Sequence, residues 1–211
     1  MELNTNTWNR IRYTVYRPFY DLIAVYFKSF RKQSIYSLQL EPKDKVLIIG
    51  AGTGLDLEFL TQQKSITAID ITPAMISELV NRAESMNMNI DAHVMDGSQL
   101  DFTDESFDAV ILHLIVAVIP DPIGCLKETE RVLKPGGKFT IIDKFIPSGS
   151  KPGILRRALN PIANLIATNL NRDIDALLSH TNLKKESDDK LRSIFRLITG
   201  SKTHENYQSN K

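Results

Sequence analysis

The stretch of the chain with the clearest chemical content is a run of alternating glycines near residue 50. The apolar residues Val46 to Ile49 lead into Gly50, Gly52 and Gly54, and a helix-compatible run follows. This order predicts a buried strand, a tight turn and the N-terminus of a helix. Glycine suits such a turn because its backbone adopts positive φ and lies close to a ligand. A tight turn with no ligand is the alternative.

Two acidic residues follow the next two predicted strands. Asp70 ends the apolar run Ile66 to Ile69, and Asp96 comes directly after the third predicted strand. An acidic side chain at the spacing of Asp70 is suited to hydrogen-bond a ribose diol. Parallel strands end at one edge of a sheet, so the glycine turn and both acids should line one cleft. Alternatively, Asp70 is a solvated strand end and Asp96 caps the following turn.

The spacing of the glycines narrows the class of ligand. Dinucleotide-binding turns have the pattern G-x-G-x-x-G, and this chain has Leu55 where their third glycine stands. That difference argues against NAD and favours a ligand that has a ribose, an adenine and a charged amino-acid tail but no pyrophosphate. We expect the turn to meet the tail, Asp70 the ribose hydroxyls and Asp96 the adenine amino group. The predicted cofactor-binding residues are Gly50, Ala51, Gly52, Gly54, Asp70, Ile71, Asp96, Gly97 and His113.

The elements that must position these residues follow from the hydrophobic pattern. Between residues 45 and 143, apolar runs alternate with amphipathic stretches, which is typical of a parallel sheet with helices on both faces. Strands are predicted near residues 45–49, 66–70, 90–95, 108–114 and 138–143. Thr72-Pro73 and Asp121-Pro122 predict helix starts, and Pro135-Gly136-Gly137 predicts a sharp turn before the fifth strand.

The flanks of this region are predicted separately. Residues 7–40 and 154–179 are expected to be helical, the latter with an interruption at Pro161, and residues 183–200 could form an antiparallel hairpin whose better strand is Ile194 to Thr199. The predicted domains are an N-terminal helical lid or membrane-contact segment over residues 1–40, a ligand-binding domain over residues 41–200 with a helical insertion at 151–180, and a polar tail over residues 201–211.

Composition excludes some classes of protein. A length of 211 residues suits one α/β domain with an added segment, and a net charge of +1 does not point to nucleic acid. The single cysteine, Cys125, excludes an internal disulfide and is compatible with a reducing compartment. No signal peptide is visible, and the apolar run Val110 to Ile119 is too short to span a bilayer. We expect a cytoplasmic, monomeric protein that can touch a membrane without crossing it.

Over roughly residues 40–145 the chain resembles the class I S-adenosylmethionine-dependent methyltransferases. The matching segments, in order, are V-L-I-I-G-A-G-T-G, A-I-D-I-T-P-A-M, M-D-G-S-Q-L, F-D-A-V-I-L-H-L and R-V-L-K-P-G-G-K-F. The resemblance implies a Rossmann-like, doubly wound sheet of seven strands with only the last antiparallel. It also implies the cofactor S-adenosyl-L-methionine and the product S-adenosyl-L-homocysteine. Ile48 departs from the family, which often has an acidic residue there near the methionine tail.

The tip of the fourth strand bears on the methyl acceptor. It reads His113-Leu114-Ile115-Val116, whereas nucleic-acid N-methyltransferases carry an Asn/Asp-Pro-Pro-aromatic motif there. An apolar tip with one histidine suits a small or lipid-like acceptor. Residues 8–32 mix aromatic and basic side chains, with Asp21 as the only acid, and residues 151–172 repeat this character. Such segments favour an anionic membrane surface, although a lid with solvated charges is an alternative.

The flanks resemble soluble bacterial phosphatidylethanolamine N-methyltransferases and the ubiquinone/menaquinone methyltransferase group. The similar segments are the Tyr13-x6-Tyr20-Asp21 pattern, I-V-A-V-I-P-D-P and R-R-A-L-N-P. This resemblance implies that Tyr13 and Tyr20 close over the cofactor and the acceptor. Paired hydrogen bonds from arginine suit a phosphate, and tyrosine suits the wall of a transfer pocket. The predicted acceptor-binding residues are Tyr16, Arg17, Arg156 and Arg157.

His113 is the predicted proton relay for an amine acceptor, because imidazole titrates near neutral pH and the amine must lose a proton before it can attack. The alternative is that His113 packs at the strand end with both ring nitrogens satisfied. The remaining histidines have no metal-ligand spacing, so no metal is predicted. The leading hypothesis is methylation of phosphatidylethanolamine. Alternatives are a quinone precursor, a soluble small molecule, or a nucleotide-binding module without catalysis.

Overall fold

The structure is a computed structural model that describes residues 27–145, 172–191 and 195–203. The strands are β1 (Lys45–Ile49), β2 (Ser65–Asp70), β3 (Asp91–Val94), β4 (Phe107–His113), β5 (Leu133–Lys144), β6 (Leu183–Lys190) and β7 (Phe195–Lys202). The helices are α1, described over residues 27–37, α2 (Pro73–Ser85), α3 (Pro122–Val132) and the short α4 (Ile174–Leu178).

The strands form one seven-stranded sheet in the order β3-β2-β1-β4-β5-β7-β6. The strands β1 to β5 pair in parallel, and β7 is antiparallel to both β5 and β6. The predicted mostly parallel sheet of seven strands with an antiparallel last strand is confirmed. The predicted C-terminal hairpin also forms, as β6 and β7.

Two apolar layers cover the sheet. On one face, Ile35 and Leu38 at the end of α1 and Leu79 of α2 pack on Ile48 and Ile111. On the other face, α3 and α4 pack on the alternate residues of the same strands, which are side chains such as Leu47, Ile49 and Leu112. Successive residues of a strand point to opposite faces, so a strand buried on both sides reads as a continuous apolar run. This explains why the continuous apolar runs in the sequence predict β1 and β4.

The helix predicted directly after the glycine turn does not form, and that prediction is wrong. The chain makes only a single 3-10 turn, Leu57–Phe59, before it enters β2 at Ser65. A crossover between neighbouring parallel strands usually takes about a dozen residues or more. Here 15 residues lie between Ile49 and Ser65, and the three glycines of the turn lie within the first five of them. Leu57 and Leu60 fill the core beneath the turn instead.

Two local predictions need correction. The strand β5 begins at Leu133 and absorbs the predicted Pro135–Gly137 turn as an irregularity, with Gly136 at φ 75°. The sheet continues to Lys202, so the first two residues of the predicted polar tail belong to β7. The predicted helix starts are both found. Pro73 is the first residue of α2, although Thr72 makes no side-chain capping hydrogen bond. Asp121 does cap α3, since its carboxylate accepts from the Gly124 amide at 2.8 Å.

The predicted helices before residue 27, and those over 154–171, lie outside the described residues, as do residues 204–211. The helix α4 falls within the predicted insertion 151–180. Among the residues that are described, no helix combines the length and the apolar character that crossing a bilayer requires.

Replacing Gly54 by alanine should test how tightly the glycine turn packs on α2. Gly54 has φ 79°, and a Cβ there would lie 2.6 Å from Leu79 Cδ1. We expect Gly54→Ala to lower the free energy of unfolding by about 2–4 kcal/mol, since left-handed strain and overpacking add. Gly136→Ala is the control, because that exposed residue has a similar φ of 75°. Urea unfolding that shows equal losses in both variants would contradict this packing.

Candidate cofactor-binding site

The register of the parallel strands brings the glycine turn and the first acidic residue to one edge of the sheet. Ile48 of β1 pairs with Ala68 of β2, so Gly50 and Asp70, each two residues further, lie at the same height. Asp70 in turn pairs with Val94 of β3, which places Asp96 just beyond that strand. The cleft therefore opens at the carboxyl edge of β1, β2 and β3, where open α/β sheets bind ligands.

The three glycines of the turn adopt the backbone conformation that the sequence predicts. Their φ angles are 69° at Gly50, 55° at Gly52 and 79° at Gly54. A Cβ on Gly50 would lie 2.9 Å from Ile115, in the loop after β4. Glycine is therefore needed at this position for packing between two loops as well as for the turn itself.

Asp70 is not a solvated strand end. Its Oδ2 accepts from the Gly52 amide at 3.0 Å, and its Oδ1 accepts from the Thr72 amide at 2.8 Å. Burial raises the pKa of this carboxyl above its ordinary value, and the amides of Thr72 and Gly52 partly oppose that shift. The carboxylate thus holds the turn to β2, and oxygens with several lone pairs can also accept from a diol.

Asp96 makes the capping contacts that were the alternative interpretation. Its Oδ1 accepts from the Ser98 amide at 2.9 Å and from the Ser98 hydroxyl at 2.8 Å. The neighbouring Gly97 is buried, and a Cβ on it would lie 2.7 Å from Ile49 Cγ2. The buried thiol of Cys125 lies close by, and burial raises its pKa to about 12, so it is an unreactive wall of the site.

Asp56 is a buried charged residue beside the predicted site that the sequence reasoning missed. It lies in the glycine turn and is 2% exposed, yet its carboxylate is paired on two sides. Arg31 Nη1 of α1 donates to Oδ1 at 2.8 Å, and His113 Nδ1 of β4 lies 2.8 Å from the same oxygen. The signal in the sequence was an acidic residue between the apolar residues Leu55 and Leu57.

His113 lies at the end of β4, with both ring nitrogens engaged. Because a carboxylate only accepts, Nδ1 donates to Asp56, and Nε2 lies 2.7 Å from the Ser34 hydroxyl. The ring is 3% exposed, and the Ser34 hydroxyl continues to Thr140 Oγ1 at 2.6 Å. This arrangement matches the alternative interpretation, while the cofactor-binding and catalytic roles of His113 stay predictions.

The loop after β4 forms an apolar wall beside the glycine turn and is held from behind by charged groups. Asp143 Oδ2 accepts from the Ala117 amide at 2.7 Å, and burial raises the pKa of that carboxyl. Arg172 donates to the carbonyl oxygens of Val116 and Ile119, the latter at 2.7 Å. These contacts satisfy backbone groups that the buried loop would otherwise leave unpaired.

The remaining predicted site residues lie outside the described residues, and their roles stay predictions. They are Tyr13, Tyr16, Arg17, Tyr20, Arg156 and Arg157. Over residues 27–145, 172–191 and 195–203, no three His, Cys, Asp or Glu side chains are grouped so that they could hold a metal ion. The roles of Ala51 and Ile71 in cofactor binding also stay predictions.

The donor set fits an adenosyl amino acid. A turn of positive-φ glycines offers backbone amides to a charged tail, Asp70 offers a carboxylate to a diol, and partly buried apolar side chains such as Ile71 and Ile115 offer surface to a base. On a doubly wound sheet of seven strands, this set defines a class of nucleoside-cofactor enzymes.

Comparison with known proteins identifies the family. Residues 47–141 match the family described as a methyltransferase domain. The chain is 28% identical over 142 residues to the phosphatidylethanolamine N-methyltransferase of Cereibacter sphaeroides, covering 66% of this chain and 70% of that protein. It is 34% identical over 119 residues to the demethylmenaquinone methyltransferase of Corynebacterium glutamicum, covering 56% of this chain and 49% of that protein, so it spans about half of that relative's length.

A solved structure supports the fold. The geranyl diphosphate C-methyltransferase of Streptomyces coelicolor, in complex with Mg²⁺, geranyl diphosphate and S-adenosyl-L-homocysteine, has a TM-score of 0.70 at 13% identity, over 83% of this chain and 80% of that one. The chain carries a methyltransferase domain, and these findings support a class I S-adenosylmethionine-dependent methyltransferase, as the resemblance predicted. Its cofactor is S-adenosyl-L-methionine.

Replacing Asp70 by asparagine should weaken cofactor binding. Hydrogen bonds to a charged group contribute about 1.5–3 kcal/mol, so we expect the Kd for S-adenosyl-L-homocysteine to rise roughly 10- to 100-fold by calorimetry. Asp108→Asn is the matched control, because that carboxylate lies near the opposite end of β4 and binds Lys134 and the Lys45 amide. Unchanged affinity in folded Asp70→Asn protein would remove Asp70 from the site.

The acid stability of the protein should depend on Asp56. Burial raises the pKa of Asp56, but Arg31 and His113 outweigh burial and hold that pKa well below its ordinary value. The folded state therefore binds this proton less readily than the unfolded chain, and the contribution to stability is lost as the pH falls below about 4. In urea unfolding, the difference in the free energy of unfolding between wild type and Asp56→Asn should be smaller at pH 3 than at pH 5.

Asp70→Asn serves as the control for this pH series, because its pKa shift has the opposite sign. The pKa of Asp70 is raised in the folded state, so protonation favours folding at this position. As the pH falls, the free energy of unfolding of the wild type should increase relative to that of Asp70→Asn. Parallel pH profiles for all three proteins would contradict both assignments.

Proposed function

We propose that this methyltransferase acts on a lipid or another membrane-associated small molecule, and specifically that it methylates the amine of phosphatidylethanolamine. The observation that carries the proposal is the character of the β4 tip. His113 is drawn into the protein, so the partly exposed side chains at the tip are the apolar Leu114 and Ile115. Ile115 also contacts the glycine turn at Gly50, so an apolar surface borders the proposed cofactor site.

The chemistry places modest demands on the protein. S-adenosyl-L-methionine supplies a methyl group on a sulfonium, which an acceptor displaces in line. The residues of this chain then have to align the acceptor and exclude water. The glycine turn and Asp70 orient one side of the cleft, and the loop held by Asp143 and Arg172 closes the other with apolar side chains.

An amine acceptor must lose a proton before it attacks, and His113 is the proposed acceptor of that proton, with Tyr13 and Tyr20 closing the pocket. His113 Nε2 is bound to Ser34, so this transfer requires the ring to exchange Ser34 for the amine. Under this proposal His113→Gln lowers kcat far more than it raises the Kd for S-adenosyl-L-homocysteine. A raised Kd with little further loss of kcat assigns His113 to positioning instead.

Two further features support a lipid. The phosphatidylethanolamine N-methyltransferase relative is matched over 70% of its length, whereas the demethylmenaquinone methyltransferase is matched over 49%. Residues 8–26 and 151–171 are basic and apolar, which suits an anionic surface at about 1 kcal/mol per basic group, whereas Arg31 and Arg172 beyond them bind within the fold. We propose that Tyr16, Arg17, Arg156 and Arg157 bind the headgroup, and that the protein works as a cytoplasmic monomer at the membrane surface.

Methylation of a quinone precursor is the second candidate, because the demethylmenaquinone methyltransferase is the more identical relative, at 34%. A carbon acceptor needs no headgroup amine and no phosphate contact. A soluble small molecule is a third candidate and would leave the basic segments as a solvated lid. A nucleotide-binding module without transfer is the remaining alternative.

Label transfer from S-adenosyl-L-methionine into defined vesicles should distinguish these acceptors. We expect label to enter vesicles that contain phosphatidylethanolamine and phosphatidylglycerol. We expect none in vesicles of phosphatidylcholine and phosphatidylglycerol, in which the amine is already fully methylated. Transfer of label to a demethylated menaquinone placed in the second kind of vesicle would favour the quinone precursor as the acceptor. Binding of the cofactor without transfer to either acceptor would contradict both the lipid and the quinone proposals. Asp70→Asn protein controls for adventitious labelling.

Sedimentation tests the membrane part of the proposal. Binding to phosphatidylglycerol vesicles should be strong at 20 mM salt and weak at 500 mM, since screening shortens the range of the attraction. The matched variant Arg156→Gln/Arg157→Gln should bind more weakly, while phosphatidylcholine vesicles should bind neither protein. An absence of binding to anionic vesicles at low salt would contradict the lipid surface.

A further inference from the structure

The helix α1 is joined by a buried ion pair to the glycine turn, residues 50–56, which is called the cofactor turn from here on. Arg31 and Asp56 are 5% and 2% exposed, and Arg31 Nη1 lies 2.8 Å from Asp56 Oδ1. One helical turn later, Ser34 reaches His113 Nε2 at 2.7 Å and Thr140 Oγ1 at 2.6 Å. Residues three apart share a face of a helix, so α1 presents one polar row to the turn and to the sheet.

The cofactor turn needs such a contact because no long helix follows it. Where the chain could have continued into a helix, it makes only the 3-10 turn Leu57–Phe59. The turn is instead held at separate points along its length. Asp70 accepts from the Gly52 amide, Arg82 Nε of α2 donates to the Thr53 carbonyl at 2.8 Å, and Asp56 is held by Arg31.

Each of these contacts comes from a different element, and the one from α1 acts on the far end of the turn. Asp70 is the last residue of β2 and Arg82 lies in α2, so both contacts come from elements that follow the turn in the chain. Arg31 lies on α1, which precedes β1 in the chain and packs on the sheet through Ile35 and Leu38. The far end of the turn is therefore held by α1 rather than by β2 or α2.

We propose that Arg31 is a positioning residue for the cofactor site, and that docking of α1 and binding of S-adenosyl-L-methionine are one coupled event. The buried pair sets the end of the glycine turn only when α1 is seated on the sheet. Because coupling is reciprocal, a bound cofactor must also stabilise the docked helix. The segment that leads into α1 contains the predicted acceptor-side residues Tyr13 and Tyr20.

The chain contains a matched control for this proposal. Lys28 of α1 pairs with Glu58 of the 3-10 turn at 2.6 Å, so it joins the same two elements as Arg31 does. Its side chain is 61% exposed and that of Glu58 is 37% exposed. Exposed ion pairs contribute little, so Lys28→Met should leave cofactor affinity within about twofold of wild type.

The test measures the Kd for S-adenosyl-L-homocysteine by calorimetry, together with the melting temperature. We expect Arg31→Met to raise the Kd at least 10-fold, and Arg31→Lys to be intermediate, since lysine keeps the charge without the planar fork of hydrogen-bond donors. Arg31→Met also leaves the buried Asp56 carboxylate with only its hydrogen bond from His113, which by itself destabilises the fold.

The double variant Arg31→Met/Asp56→Asn separates positioning from stability. It removes both charges, and an asparagine oxygen can still accept from His113. We expect its melting temperature to recover towards wild type while its Kd stays at least 10-fold raised. If the Kd recovers together with the melting temperature, Arg31 only balances a buried charge and the proposal fails. A Lys28→Met variant as weak as Arg31→Met would also overturn it.

Amide hydrogen exchange gives an independent readout. In wild type, S-adenosyl-L-homocysteine should slow exchange over residues 27–38 at least 10-fold. In the double variant, ligand at saturating concentration should slow exchange in the glycine turn but have little effect on α1. Exchange in α1 that does not respond to ligand in the wild type would show that docking and binding are not coupled.

Discussion

A carboxylate buried beneath the cofactor turn constrains much of this structure. Moving a charged group out of water costs several kcal/mol even after relaxation, so Asp56 is tolerated only with close partners. Those partners come from two distant parts of the chain, Arg31 before β1 and His113 at the end of β4. Together they tie the first described helix, the cofactor turn and the central strand into one unit.

This constraint explains how a short connection can still form a precise ligand site. A long helix after a glycine turn would hold the turn by its own backbone hydrogen bonds. Here the connection contributes one 3-10 turn, and side chains from α1, α2 and β2 hold the turn instead. The site is therefore more dependent on tertiary contacts than its sequence motif indicates.

The predicted cofactor side of the site lies within the described residues, whereas the predicted acceptor side lies outside them. The glycine turn, Asp70 and the loop after β4 belong to the described core and are held by buried hydrogen bonds. The predicted acceptor-binding residues belong to the flanks. Methyl transfer asks the protein mainly for alignment, so one core can serve several acceptors while the flanks decide among them. Two relatives are named for different acceptors, phosphatidylethanolamine and demethylmenaquinone, which is consistent with this division.

Much of the core could be predicted because the signals are local. The strands β1 and β4 are buried on both faces, so their apolar runs are continuous, and Asp70 is recognisable because it ends such a run. The positive φ angles of Gly50, Gly52 and Gly54 follow from the same reasoning. The missing helix was mispredicted because helix propensity is a weak preference, and the length of the connection overrode it.

The sequence by itself determined the class of fold and the cofactor, and it predicted the edge of the sheet that would bind it, because the strand pattern and the turn chemistry are encoded in neighbouring residues. It left two possibilities open for His113. Only the tertiary structure decided that this ring lies between Asp56 and Ser34, with Arg31 completing the pair. The contacting pairs among these residues are 25 to 82 positions apart in the chain, and side chains so distant are brought together by packing rather than by any local pattern.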